Sequence, residues 1–257
     1  MANPIILFPL VLLSACVSVK NAAKDNFPPS LPHGQIKQIF PDIFMVTGAN
    51  VIDHDGVRIQ ASRNMVIVRQ NHDLTLINSV RLDQNGLKEL ENLGQIKNII
   101  RIGAFHGRDD AFYQQRYNAK LWAFGTMEFS HGEKVDFDLK EGKLPLKDAE
   151  LFTFKSTLQP EALILINKDG GILIACDSIK NWTKKDGFFD DETFAMMTKL
   201  GSIGEAKIDS TWLGAMKPSK EELAKILTLK FEHLLSAHGE PLKKRAKSAV
   251  SYSINNI

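Results

Sequence analysis

Leu74-Thr75-Leu76-Ile77 is apolar almost throughout and lies between polar flanks. A strand with one wet face alternates apolar and polar side chains, so a run without alternation must be covered on both faces. Ile96–Ile102 reads as a second buried strand. Between the two lies a helix signal: Asp83 can cap it, Leu87, Leu90 and Leu93 share a face, and Gly94 ends it. Strand, helix and buried strand in this order exclude an isolated hairpin and an all-helical bundle, and they call for layers.

The rest of the chain repeats the theme. Before Leu74 come short β-type segments at Ile36–Phe40, Ile43–Thr47, Val57–Gln60 and Met65–Arg69, the last joined to Leu74–Asn78 by a hairpin-sized connection. After Ile102 the spacing predicts a helix from Asp109 to Tyr117 with Asp109 as its cap, and a strand at Lys120–Phe124. Two more strands, Ala162–Ile166 and Ile172–Cys176, bracket Asn167–Gly171. Helices are expected at Asp191–Leu200 and from the capping pair Ser219 and Glu222 to about Leu227. A last strand falls at Leu234–Ala237, and a helix from about Pro241 closes the chain. Strands in blocks with helices between them, in two rounds, predict an α/β layered sandwich over residues 35–257.

The amino terminus belongs to a different class. Pro4 to Leu13 is an apolar run too short for a membrane-spanning helix, and Leu13-Ser14-Ala15-Cys16 follows it. The tetrad resembles the lipobox of bacterial lipoproteins. That resemblance implies a signal peptide over residues 1–15, lipidation of Cys16, and a membrane partner reached through the lipid. Val17 after the cysteine leans, by the same resemblance, toward the outer membrane, with the domain facing the periplasm. Residues 16–34, with Pro28, Pro29, Pro32 and Gly34, read as the lipidated cysteine and its tether. Cys176 is the only other cysteine, so an acylated Cys16 leaves no internal disulfide and stability must come from the core. A net charge of +2 gives no basic face for nucleic acid.

The polar residues gather where the β-type segments end. Gly103-Ala104-Phe105-His106-Gly107-Arg108-Asp109-Asp110 follows the second buried strand, Asp177 follows Ile172–Cys176, and His238 follows the last strand in an Ala-His-Gly step. This ordered set resembles the metallo-β-lactamase superfamily, a four-layer αββα sandwich of metal-dependent hydrolases, over roughly residues 36–245. The resemblance puts His106 on the first histidine of the HxHxDH loop, Asp110 on its aspartate, Asp177 on the metal-bridging aspartate and His238 on the last histidine. Departures are as plain. Arg108 and Ala111 stand at two further histidine positions, Leu158 stands within a residue of the middle histidine, and Asn78 replaces the usual strand-end aspartate.

With one imidazole left of three, the first metal site of the superfamily is expected to be empty. The surviving residues, His106, Asp110, Asp177 and His238, can bind one divalent ion, Zn²⁺, Mn²⁺ or Fe²⁺, with room for water and with Asp110 as the catalytic carboxylate. The substrate would be a small molecule of unknown kind. A second reading rests on Arg108. Two carboxylates facing each other at about 4 Å repel by about 4 kcal/mol at an effective dielectric near 20. A guanidinium between Asp110 and Asp177 would relieve that as well as a metal would, leaving a non-catalytic binding or scaffolding lipoprotein. Cys176 reads as a buried thiol or as a soft ligand beside Asp177. His54, His131 and His233, with Trp182 and Trp212, read as turn, surface or packing residues.

Overall fold

The computed structural model describes residues 27–54 and 56–257, so the lipobox and Cys16 lie outside the described residues. Seven strands form one sheet in chain order: β1 Lys37–Phe40, β2 Ile43–His54, β3 Val57–Gln70, β4 Asp73–Ile77, β5 Gln95–Ile100, β6 Lys120–Ala123 and β7 Phe137–Asp138. The first four pair antiparallel, whereas β4 through β7 run parallel. Parallel neighbours need a crossover, which α1 Gln84–Leu93 and α2 Asp110–Tyr117 supply on either side of β5. Asp83 does cap α1, accepting from the backbone N–H groups of Asn85 and Gly86.

The second sheet holds β8 Ala149–Thr153, β9 Ala162–Ile166 and β10 Ile172–Ala175, with a later strand, β13 His233–Ser236, parallel to β10 at its edge. Between β10 and β13 the chain forms a two-stranded ribbon, β11 Ile179–Lys180 with β12 Lys207–Ile208, and the helices α3 Asp191–Lys199, α4 Ser210–Met216 and α5 Lys220–Ile226. A last helix, α6 Ala246–Asn255, covers the outer face of the second sheet.

The period of two along a strand divides the second sheet between two cores. Ala162, Ile164 and Ile166 of β9 face the layer shared with the first sheet, while Leu163 and Leu165 face the helical side with Trp212, Met216, Leu223 and Val250. β10 repeats this, with Ile172, Ile174 and Cys176 inward and Leu173 and Ala175 outward. This is why these strands lack a polar face, and the four-layer αββα sandwich follows from it.

Several boundaries differ from the sequence reading. Val57–Gln60 and Met65–Arg69 are one long strand, because Ala61 to Asn64 stay paired with β2 and are buried by elements far away in the chain. The strands β7, β8, β11 and β12 and the helix α4 carry too little periodicity to stand out. The closing helix starts at Ala246 rather than near Pro241, since Leu242 first pairs with Leu234. The segment read as the end of a tether lies against the domain from Phe27 onward. Arg81 Nη1 donates to the Pro28 carbonyl at 2.6 Å, Arg108 Nη2 to the Pro29 carbonyl at 2.8 Å, and the Ala49 N–H to the Pro32 carbonyl at 2.8 Å. Among the described residues no helix is long and apolar enough to cross a membrane.

Ile164 is wholly buried between the two sheets. Ile164→Ala is expected to cost about 2–5 kcal/mol in urea denaturation, since the layer on either side is held by paired strands and cannot collapse into the cavity. A loss below about 1 kcal/mol would mean that this layer is not the shared core.

Candidate metal centre

Three polar side chains meet where strands leave the shared layer. The loop after β5 brings His106, the turn after β10 brings Asp177, and the turn after β13 brings His238. His238 Nε2 lies 2.9 Å from Asp177 Oδ1, His106 Nε2 lies 3.3 Å from Asp177 Oδ2, and the two Nε2 atoms are 3.1 Å apart. All three are well covered, with side chains 5% (His106), 10% (His238) and 14% (Asp177) exposed.

The turns that hold them are built from specific hydrogen bonds. Asn64, in the middle of β3, donates from Nδ2 to the carbonyls of Ser236 and Gly239, bracing the turn around His238. Thr47 donates to the Oδ1 of the same asparagine at 2.7 Å. Gly239 has φ +94°, and a Cβ there would lie 2.0 Å from the Asn181 carbonyl oxygen, so the step after His238 admits only glycine. Trp182 packs on the His238 ring at 4.6 Å between centroids and donates its Nε1–H to Ser62 Oγ at 3.1 Å.

The protons can be counted. His238 Nδ1 is 3.2 Å from the Ser62 backbone carbonyl, which can only accept, so Nδ1 carries the hydrogen. Burial lowers the His238 pKa to about 4, against the pull of Asp177, so the ring is neutral and Nε2 presents a lone pair. Burial alone would raise the Asp177 carboxyl, but the charge and hydrogen bond of His106 before all else hold it well below the usual carboxylate range, so it is ionised. The 2.9 Å contact between His238 Nε2 and Asp177 Oδ1 is therefore acceptor against acceptor. A cation resolves it. Ligands about 2.0–2.1 Å from a tetrahedral ion lie roughly 3.3 Å from one another, close to the separations found here, and two imidazoles with one carboxylate form a familiar catalytic set. The residues fit a single divalent ion.

Asp110, the fourth residue of the expected set, makes no ion-pair contact with either imidazole among the described residues. Its Oδ1 accepts from Ser79 Oγ at 2.6 Å, its Oδ2 is buried without a hydrogen-bond partner, and the charges it feels most are Arg101, Glu133 and Asp109. Burial raises its pKa to about 6, with Arg101 and Ser79 pulling the other way. Arg108 does not lie between Asp110 and Asp177. Its Nη1 donates to Asp109 Oδ1 at 2.6 Å, and Arg63 and the Arg81 N–H hold the other oxygen of Asp109. This also corrects the expected cap: Asp109 precedes α2, but its carboxylate makes no capping bond because arginines claim it. Leu158, which the sequence resemblance put within a residue of the middle histidine, is an exposed loop residue.

Two neighbours complete the surroundings. Cys176 Sγ is buried 3.8 Å from Asp177 Oδ2, and His106, Cys176 and Asp177 each bring one ligand atom within 4.8 Å of the others. Burial, then the charges of Asp177 and Glu161, push its thiol up. Glu161 carries no motif, and sequence reasoning missed it. The one signal available was an acid directly before the fully apolar strand β9. Its carboxyl is wholly buried and raised to about 8, by burial first and by the charge of Asp177 second. Of the other histidines, His233 is a satisfied structural residue, with Nε2 donating to the Asp169 carbonyl and Nδ1 accepting from the Lys244 N–H. His131 is half-buried beside a cavity of about 350 Å³ that also adjoins Phe105 and Arg108.

No family profile matches the chain, and no curated protein matches it in sequence. Solved structures do match in shape. The DIM-1 metallo-β-lactamase exposed to ceftazidime superposes with a TM-score of 0.57 at 14% identity, over 89% of this chain and 98% of that one. The fold is that of the metallo-β-lactamases. FIM-1 from Pseudomonas aeruginosa, in its mono-zinc form, gives a TM-score of 0.56 at 12% identity, covering 89% of this chain and 97% of the lactamase. A metallo-β-lactamase from Erythrobacter litoralis gives 0.54 at 12%, covering 86% and 92%. Within this metallo-β-lactamase fold, the triad occupies the carboxyl ends of strands from both sheets, where open α/β sheets bind ligands.

The raised Asp110 carboxyl sets a pH dependence. Unfolded it titrates near 3.8 and folded near 6, so the stability from its protonation is fully present below 3.8 and lost as pH rises through 6. Urea denaturation of wild type against Asp110→Asn is expected to show the wild type losing about 2–3 kcal/mol relative to the variant between pH 4 and 7. A relative gain over that range would mean that Asp110 is ionised and paired.

Proposed function

We propose that the chain is a mononuclear metal-binding protein with hydrolase-like chemistry, held in the bacterial envelope by a lipid on Cys16. The carrying observation is the 2.9 Å contact between the Asp177 carboxylate and the His238 nitrogen that has no hydrogen to offer. His106, Asp177 and His238 would hold Zn²⁺, Mn²⁺ or Fe²⁺. When bound, such an ion lowers the pKa of a coordinated water and polarises a carbonyl or phosphoryl oxygen.

The protein's own residues do the rest. The Ser62 carbonyl fixes the tautomer of His238, which leaves Nε2 free to ligate, as second partners of metal-bound histidines do. Trp182 packs edgewise against that ring and steadies its orientation. Asn64 and Ser236 hold the turn in place, with the His238 N–H donating to Ser236 Oγ at 3.0 Å. Asp110, engaged by Ser79, supports the loop rather than the ion.

A second reading, a lipoprotein that binds or scaffolds without turnover, draws on the burial of the triad and on the nearby cavity, whose lining does not include it. In that reading the ion braces the strand ends and no substrate reaches it. Arg108 plays no part, since its guanidinium is spent on Asp109 and Pro29.

Elemental analysis of tag-free protein, reconstituted with each metal in turn, decides whether the ion is there. We expect close to one equivalent, lost in His238→Ala. At free metal near a hundred times Kd the wild type should gain about 2.7 kcal/mol of stability. Less than about 0.2 equivalents in the wild type would end the metal reading. Turnover of a panel of esters, amides and phosphodiesters by the loaded protein separates hydrolase from scaffold.

A further inference from the structure

We propose that Glu161 is a positioning residue for the triad: its buried carboxylate anchors the turn carrying Asp177, and its main chain anchors the loop carrying His106. The inference rests on the metal reading above.

Glu161 sits at the mouth between the sheets. Oε1 accepts from the Ser178 N–H at 2.7 Å, one residue beyond Asp177, and Oε2 accepts from Trp212 Nε1 on α4 at 2.8 Å. Its backbone bridges to Gly103, and the next N–H, on Ala162, donates to the Ile102 carbonyl at 2.8 Å. One residue thus ties together the exit of β5, the exit of β10 and a helix on the outer face. The approach is tight. A Cβ on Gly103 would lie 2.3 Å from Cys176 Sγ, so the loop of His106 is pressed against the turn of Asp177 at this point.

The Glu161 carboxyl has two N–H donors and, among the described residues, no cationic partner, so burial and the charge on Asp177 next to it both work against its charged form. With a divalent ion held by the triad, the charged form of Glu161 would be favoured instead, because two carboxylates would then face the cation. Glu161 would act through Asp177 without touching the ion, as outer partners of metal sites do. A purely structural role would not need the charge, since a glutamine has the same shape.

The experiment is a chelator-competition titration with Co²⁺, read by its visible absorption, on wild type, Glu161→Gln and Trp212→Phe. The glutamine loses the charge and points an amide N–H₂ at one of the two donors. Glu161→Gln is expected to bind Co²⁺ about 10–100-fold more weakly, with shifted absorption bands, in the folded protein. Trp212→Phe keeps the charge and the Ser178 bond and is expected to weaken binding by less. Equal affinity and unchanged bands in Glu161→Gln overturn the proposal while leaving the metal centre intact. Should that variant not fold, wild-type affinity and an unaltered spectrum in Trp212→Phe overturn it as well. Wild-type protein that takes up no Co²⁺ removes the centre itself, and Glu161's role with it.

Discussion

One apolar layer shared by two sheets decides where every polar side chain of the centre can stand. Inside that layer the strands present Ile, Leu and Ala on both sides, and an imidazole or carboxylate there would have no partner. Polar groups are admitted only where the strands run out. Because β5, β10 and β13 end on the same side, their next residues converge. The Ala175–Ser236 pairing sets the two exits of the second sheet level with each other. The Gly103–Glu161 bridge does the same across the two sheets. A triad drawn from positions more than a hundred residues apart is a consequence of strand ends in register.

Local bonds then decide what the convergence can do. A neutral imidazole can be a ligand or a donor at a given nitrogen, and the choice is made by whatever holds the other nitrogen. For His238 that partner is a backbone carbonyl on β3, an element that contributes no side chain to the triad. The long strand β3 therefore matters to the chemistry through its middle. Ser62 sets the tautomer, Arg63 takes Asp109, and Asn64 ties down the turn. This stretch is paired, buried and rich in polar side chains at once, so it looked like a break between two strands. Its polar residues serve partners 17 to 176 positions away, which no local pattern reveals.

Much of the architecture was legible because it follows from periodicity. β9 was readable from Ala162–Ile166, and α1 from its cap, its leucine face and Gly94. Three of the four residues named from the sequence, His106, Asp177 and His238, stand together at strand ends. The fourth, Asp110, follows the same rule and stands apart, with Ser79 as its partner. Two adjacent aspartates could not be told apart by type. Asp109 faces three arginines and Asp110 faces a serine, and only packing separates them. Glu161 was silent for the opposite reason: its partners are a backbone N–H and an indole from distant elements.

The fate of the arginines bears on how the centre acquires positive charge. Arg63 and Arg108 are bound to Asp109, Arg101 is turned to the carbonyls of Gly103, Ala104 and Glu128, and Lys180 lies 3.6 Å from Asp209. Among the described residues, the side chains in ion-pair contact with Asp177 are the two imidazoles. Arg108 also fastens Pro29 to the loop, so its guanidinium is engaged away from Asp177. Charge for Asp177 must come either from a proton on a buried ring or from an ion. Burial penalises a charged imidazole, and the Ser62 carbonyl already holds the one hydrogen His238 carries when neutral. A divalent cation avoids both penalties, because it takes the lone pairs as they are.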